Sequence, residues 1–207
     1  MLRAPDRRQA RVVPAHPFNA AILMCLFVGV LYAVEAADQA MNGGLEQYGI
    51  EPRQLTGLEG ILFAPLLHAG WPHLFANTVP LLVLGWLAMS GGLAQFAGVT
   101  AIVWVVSGVG TWLFGSGPTV GASGIAFGWM VFLLIRGLFL WSLRQIFVGL
   151  VLFFYWGGML LGVLPGAPGI SWQGHLFGAL GGLLAAWLVA RRQRGHRAPR
   201  WSETLPR

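Results

Sequence analysis

Between Gly60 and Ser202 the chain contains no aspartate and no glutamate. A serine–histidine–acid triad therefore cannot be assembled from that stretch, and it supplies no carboxylate to a metal. Lysine is absent throughout, so all 13 basic residues are arginines. Charged residues make up only 10% of the 207 positions against 56% hydrophobic, too apolar for a soluble domain of this length. Cysteine occurs once, as Cys25, which excludes an internal disulfide and says nothing about redox compartment. Period-two alternation is also missing from the apolar runs. A bilayer accepts only helices or closed barrels, so the runs read as helices.

Six apolar stretches are long enough to cross a hydrocarbon core, which takes roughly 17 to 25 residues. They are Phe18–Ala37, Leu74–Met89, Leu93–Phe114, Ala122–Leu140, Ile146–Leu164 and Gln173–Ala190. No small-x-small cleavage site follows the first, which reads as a retained span rather than a signal peptide. Ten Trp and thirty Gly fit the same class, since Trp collects at membrane interfaces and Gly at close helix contacts.

The arginines orient the spans. Arg3, Arg7, Arg8 and Arg11 precede span one, while Arg191, Arg192, Arg194, Arg197, Arg200 and Arg207 follow span six. Arg136 and Arg144 bracket the turn between spans four and five. With six spans all of these fall on one side, expected to be cytoplasmic by the positive-inside rule, and only Arg53 lies opposite. Five of the seven acids, Glu35, Asp38, Glu46, Glu51 and Glu59, lie at or beyond the outer end of span one. Basic clusters flanking apolar spans set topology and touch anionic lipid, so no nucleic-acid partner is expected. The domain division that follows is a basic cytoplasmic segment 1–17, a six-helix domain 18–190 and a basic cytoplasmic tail 191–207. The one long connection, Asp38 to Pro72, contains the short apolar run 60–67, broken by Pro65, which reads as an interfacial or re-entrant element.

Parity places the reactive side chains. Spans two, four and six all run inward from the outer face. His73 and Asn77 stand at the start of span two, Ser123 at the start of span four and His175 near the start of span six. Serine is a weak nucleophile without a base, and His175 is the best candidate. Ser123 at a helix start has unpaired backbone N–H groups nearby, which favour developing negative charge. His73 and Asn77, four residues apart, share a helix face and can both donate to an oxyanion. With no acid available the arrangement can only be a Ser-His dyad, its imidazole oriented by packing, with Phe127 one turn after Ser123 placed to stack on it. Gly174, Gly178 and Gly182 form a four-residue ladder that lets span six approach span four. A metal centre of His68, His73 and His175 is the competing reading, but no HExxH motif or carboxylate ligand accompanies them.

Three blocks, His68-Ala69-Gly70-Trp71-Pro72-His73-Leu74-Phe75-Ala76-Asn77, Gly121-Ala122-Ser123-Gly124 and His175-x-x-Gly178-x-x-x-Gly182, fall in that order on spans two, four and six. The pattern resembles the rhomboid family of intramembrane serine proteases. The resemblance implies an all-α membrane protein, a six-transmembrane-helix rhomboid-like bundle, multi-pass in a cell membrane. The lack of lysine and of any organelle-targeting pattern favours a bacterial plasma membrane. The family resemblance implies Ser123 as nucleophile, His175 as general base, and His73, Asn77 and the Ser123 N–H as the oxyanion hole. His68 matches a structural loop histidine. Phe127, Gly121, Gly124, Gly178 and Gly182 support the site, and no metal or cofactor is called for. The implied substrates are single-span membrane proteins, cut near the outer face after entering past span five and the Pro165–Ser171 loop. A non-catalytic rhomboid-like chaperone or substrate binder is the alternative. One departure stands out: Glu59-Gly60 occupies the place where the family often has a Trp-Arg pair, which leaves the anchoring of the first loop open.

Overall fold

The computed structural model describes residues 11–166 and 169–195. Arg3, Arg7, Arg8, Arg197, Arg200 and Arg207 lie outside the described residues, as do positions 167 and 168 of the loop before span six. The architecture is all-α, and among the described residues the sole β feature is one isolated bridge between Ile50 and Thr119. The helices are α1 (Pro17–Ala40), α2 (Gly60–Phe63), α3 (Trp71–Ala88), α4 (Leu93–Phe114), α5 (Ser123–Leu140), α6 (Leu143–Trp156) and α7 (Trp172–Gly195). Among the described residues six segments are long and apolar enough to span a membrane, and the protein is a multi-pass membrane protein.

Their limits follow the sequence reading closely, with informative shifts. Span two starts at Trp71 rather than Leu74, because Gly70 (φ +86°) turns the chain and Pro72 fits the first helical turn, where its missing N–H is not needed. His73 therefore lies inside the first turn of α3. Span five changes character: α6 ends at Trp156 and the chain tightens into a 3-10 segment, Gly157–Val163. The run 60–67 forms the short α2 followed by a 3-10 turn, Ala64–Leu66.

Helix α5 is the centre of the bundle. Its span is 61% buried, against 11% for span five, and it contacts α3, α4, α6 and α7. The core around it contains Trp129, Met130, Phe132 and Leu133 from α5, Leu74, Leu81 and Leu84 from α3, and Met24 and Leu31 from α1. Lipid tails are as apolar as these side chains, so dense packing and hydrogen bonds hold the helices together. The tightest seam is α5 against α7. A Cβ on Gly178 would collide with the carbonyl oxygen of Gly124, and a Cβ on Gly182 with that of Gly128. Gly124 is equally constrained, since a side chain there would strike Ser107 Oγ.

The first loop is anchored without a Trp-Arg pair at 59–60. Indole N–H groups from α4 donate to its carbonyls, Trp104 to Ile61 at 2.8 Å and Trp112 to Gln54 at 2.8 Å. Arg53 donates to the carbonyl of Gly115 at 2.9 Å, and Ile50 and Thr119 exchange backbone bonds of 2.9 and 3.0 Å. At the other end of the loop Asp38 accepts from the Leu45 N–H at 2.7 Å. Gly60 packs directly on backbone, where any side chain would strike the Gly49 carbonyl.

Candidate active site

Ser123 opens α5, directly after Gly121 and Ala122. Gly121 has φ +120°, a conformation that side chains disfavour, and a Cβ there would come within 2.6 Å of His73 Cε1 and 2.8 Å of its Nε2. Its N–H is tied to the Ala64 carbonyl at 2.8 Å, which links this turn to the first loop. As the first residue of the helix, Ser123 sits where backbone N–H groups lack an intrahelical acceptor.

His175 lies in the first turn of α7, 9% exposed, with Nε2 2.8 Å from Ser123 Oγ. Its other ring nitrogen, Nδ1, is 3.0 Å from the carbonyl oxygen of Gly162. A carbonyl can only accept, so Nδ1 carries the proton. In the neutral ring Nε2 then holds a lone pair, and Ser123 Oγ–H donates to it. The Phe127 ring lies parallel to the imidazole, with centroids 4.0 Å apart and planes 8° apart. Packing alone was the expected means of orientation; the structure adds a hydrogen bond from a residue, Gly162, that carries no side chain for a sequence motif to register.

Two more histidines are assigned by the same logic. Nδ1 of His73 accepts the Ala69 N–H at 3.3 Å, which puts the His73 proton on Nε2, the nitrogen beside Gly121. His73 is thus a donor facing the turn before Ser123. His68 is 1% exposed; its Nε2 accepts the Ala122 N–H at 3.5 Å, its ring meets that of His73 edge-on at 5.1 Å, and its Nδ1 has no hydrogen-bond partner. Burial, and secondarily the neighbouring His73, lowers His68 to about 4, so it is neutral at physiological pH. Asn77, also buried, gives one amide N–H to the His73 carbonyl at 3.0 Å and retains the second.

These groups share one cavity of about 880 Å³, lined by Ser123, His175, His73 and Asn77 and continued by Trp156 and Met159 from span five. Ser107 and Ser171 add hydroxyls to its wall; Ser107 holds the Gly174 carbonyl at 2.9 Å, pinning α4 to the start of α7. Among the described residues no group of three His, Cys, Asp or Glu side chains is arranged to hold a metal ion. A hydroxyl hydrogen-bonded to an oriented imidazole, beside two side-chain donors and a helix start, is chemically equipped for acyl transfer.

Comparison with known proteins places the chain. The Rhomboid domain family model matches residues 55–192, a stretch that contains every residue of the cavity described above except Glu46 and Ile50 at its rim. An uncharacterized protein of Mycobacterium tuberculosis and one of Mycobacterium bovis are each 50% identical over 182 residues, covering 83% of this chain and 76% of the relative. An uncharacterized protein of Mycobacterium leprae is 45% identical over 190 residues, covering 86% of this chain and 74% of its own length. The matched stretch and the six spans agree, and the chain belongs to the rhomboid family.

Proposed function

We propose that this protein is an intramembrane serine endopeptidase that cuts single-span membrane proteins near the outer face of the bilayer. The observation that carries the reading is the 2.8 Å contact between Ser123 Oγ and His175 Nε2 inside a cavity large enough for an extended peptide. Ser123 attacks the scissile carbonyl while its proton passes to His175 Nε2. The oxyanion forms between the His73 Nε2–H, the free Asn77 amide N–H and the Ser123 backbone N–H. His175 then protonates the leaving amine, and water hydrolyses the acyl-enzyme with His175 again as base.

The protease domain in this reading is 18–190, flanked by basic cytoplasmic segments, in a bacterial plasma membrane. In support, Gln145 donates to the Arg11 carbonyl and Arg194 to that of Phe139, so basic residues 11 and 194 lie at the same end of the bundle, opposite the Arg53 loop. Reconstitution with a single-span substrate tests the function. Wild type should release a cleaved ectodomain and Ser123→Ala should not. Specific substrate binding without cleavage by either protein would instead indicate a chaperone.

A further inference from the structure

We infer that the carbonyl oxygen of Gly162 takes the place of the missing acid: it fixes the His175 tautomer that leaves Nε2 free to accept from Ser123. The inference rests on the Ser-His reading above and adds to it a positioning group.

Four observations converge. The first is the acid-free stretch from Gly60 to Ser202, which leaves the ring without a carboxylate from spans two to six. The second is the partner found instead, Gly162 O at 3.0 Å from Nδ1. The third explains why that oxygen is available. Gly162 lies in the last turn of the 3-10 segment, where carbonyl i bonds the N–H of residue i+3. Leu161 finds its partner this way, in the Leu164 N–H at 3.0 Å. For Gly162 the corresponding residue is Pro165, which has no N–H to give. The fourth is steric. A Cβ at position 162 would come within 2.9 Å of Phe127 Cζ and 3.1 Å of His175 Nδ1, so the backbone reaches the ring because residue 162 is glycine.

The chemistry balances without an acid. The Nδ1 proton stays on His175 throughout and donates to Gly162 O. The Ser123 proton moves to Nε2 and leaves on the departing amine. When the ring is doubly protonated, the bond to Gly162 becomes charge-assisted and strengthens. An uncharged acceptor does this with no carboxylate buried at membrane depth. Where the bond to Gly162 is weakened, Nδ1 loses its partner. The proton can then sit on Nε2, where it blocks acceptance from Ser123.

The test is a backbone amide-to-ester exchange in the full chain. Val163 is replaced by its α-hydroxy acid, which turns the Gly162 carbonyl into a weaker ester acceptor. Two quantities are read in detergent: fluorophosphonate labelling of Ser123 and the His175 tautomer by nitrogen NMR on ¹⁵N-histidine protein. Labelling should slow about 3–10-fold, the loss expected for one weakened hydrogen bond, and the Nε2–H tautomer should gain population. The same exchange at Leu161, which weakens the Leu160 carbonyl, should change neither. Gly162→Ala should abolish labelling while thermal unfolding stays cooperative. An unchanged tautomer and labelling rate in the Val163 ester would overturn the inference. So would an Nε2–H tautomer in the wild-type protein, which is decisive even if Ser123 never reacts. Wild type that keeps the Nδ1–H tautomer, shifts on ester exchange and yet cleaves nothing would support the inference and count against the protease reading alone.

Discussion

Gly124 on α5 and Gly178 on α7 meet backbone to backbone, leaving no room for a methyl group on Gly178. Gly124 follows Ser123, and Gly178 comes three residues after His175. This contact closes the 52-residue gap in sequence to the 2.8 Å between Oγ and Nε2. Positioning of the pair is thus a packing property of two helices, not of a loop. Gly178→Ala should therefore force α7 away from α5, costing about 1–3 kcal/mol as an overpacking change, and should sharply slow fluorophosphonate labelling. Gly182→Ala, one turn deeper against Gly128, should cost similar stability with a smaller labelling loss. Thermal unfolding and labelling rates in the same detergent measure both. Equal labelling in wild type and Gly178→Ala would detach the seam from the site.

The donors facing Ser123 should act on the transition state. Asn77→Ala should lower turnover by about 10²–10³ with little change in KM, because a charge for it to stabilise would appear only as Ser123 adds to the carbonyl. His73→Ala should behave alike, and the double variant should lose less than the product of the two if the pair acts as a unit. Kinetics on a fluorogenic transmembrane peptide separate kcat from KM. A raised KM with intact kcat for Asn77→Ala would make Asn77 a substrate contact instead.

His68 predicts a pH dependence of stability. Burial lowers it to about 4 from an ordinary 6.5. Between those values the unfolded chain binds a proton that the folded one refuses. The contribution is present above about pH 6.5 and is lost as pH falls through about 4, on the order of 3 kcal/mol in all. Thermal unfolding at pH 7 and pH 4.5 should show the decline. His68→Gln, which keeps a neutral acceptor for the Ala122 N–H, should flatten it. An identical decline in that variant would show that His68 is not its source.

Much of this was legible from the sequence, for identifiable reasons. Apolar run lengths, the arginine asymmetry and parity were enough to give six helices and to put His73, Asn77, Ser123 and His175 at one level. The Gly174–Gly178–Gly182 ladder pointed to the seam because small residues at four-residue spacing have few other uses in a membrane. Gly162 was not legible. Its part is played by a main-chain oxygen freed by Pro165 at the end of a 3-10 segment, and neither residue resembles a site motif. The anchoring of the first loop was hidden for the same reason: Trp104, Trp112 and Arg53 donate to backbone carbonyls, and those acceptors leave no mark on residue identity.

The central claim is that His175 activates Ser123, and labelling tests it most directly. A fluorophosphonate probe on wild type, Ser123→Ala and His175→Ala, followed by mass analysis of the modified peptide, reads activation without needing the natural substrate. The account predicts one labelled site, Ser123, in the wild-type protein and loss of that label in both variants. Full labelling of Ser123 in His175→Ala, or a wild-type protein labelled elsewhere and not at Ser123, would contradict it.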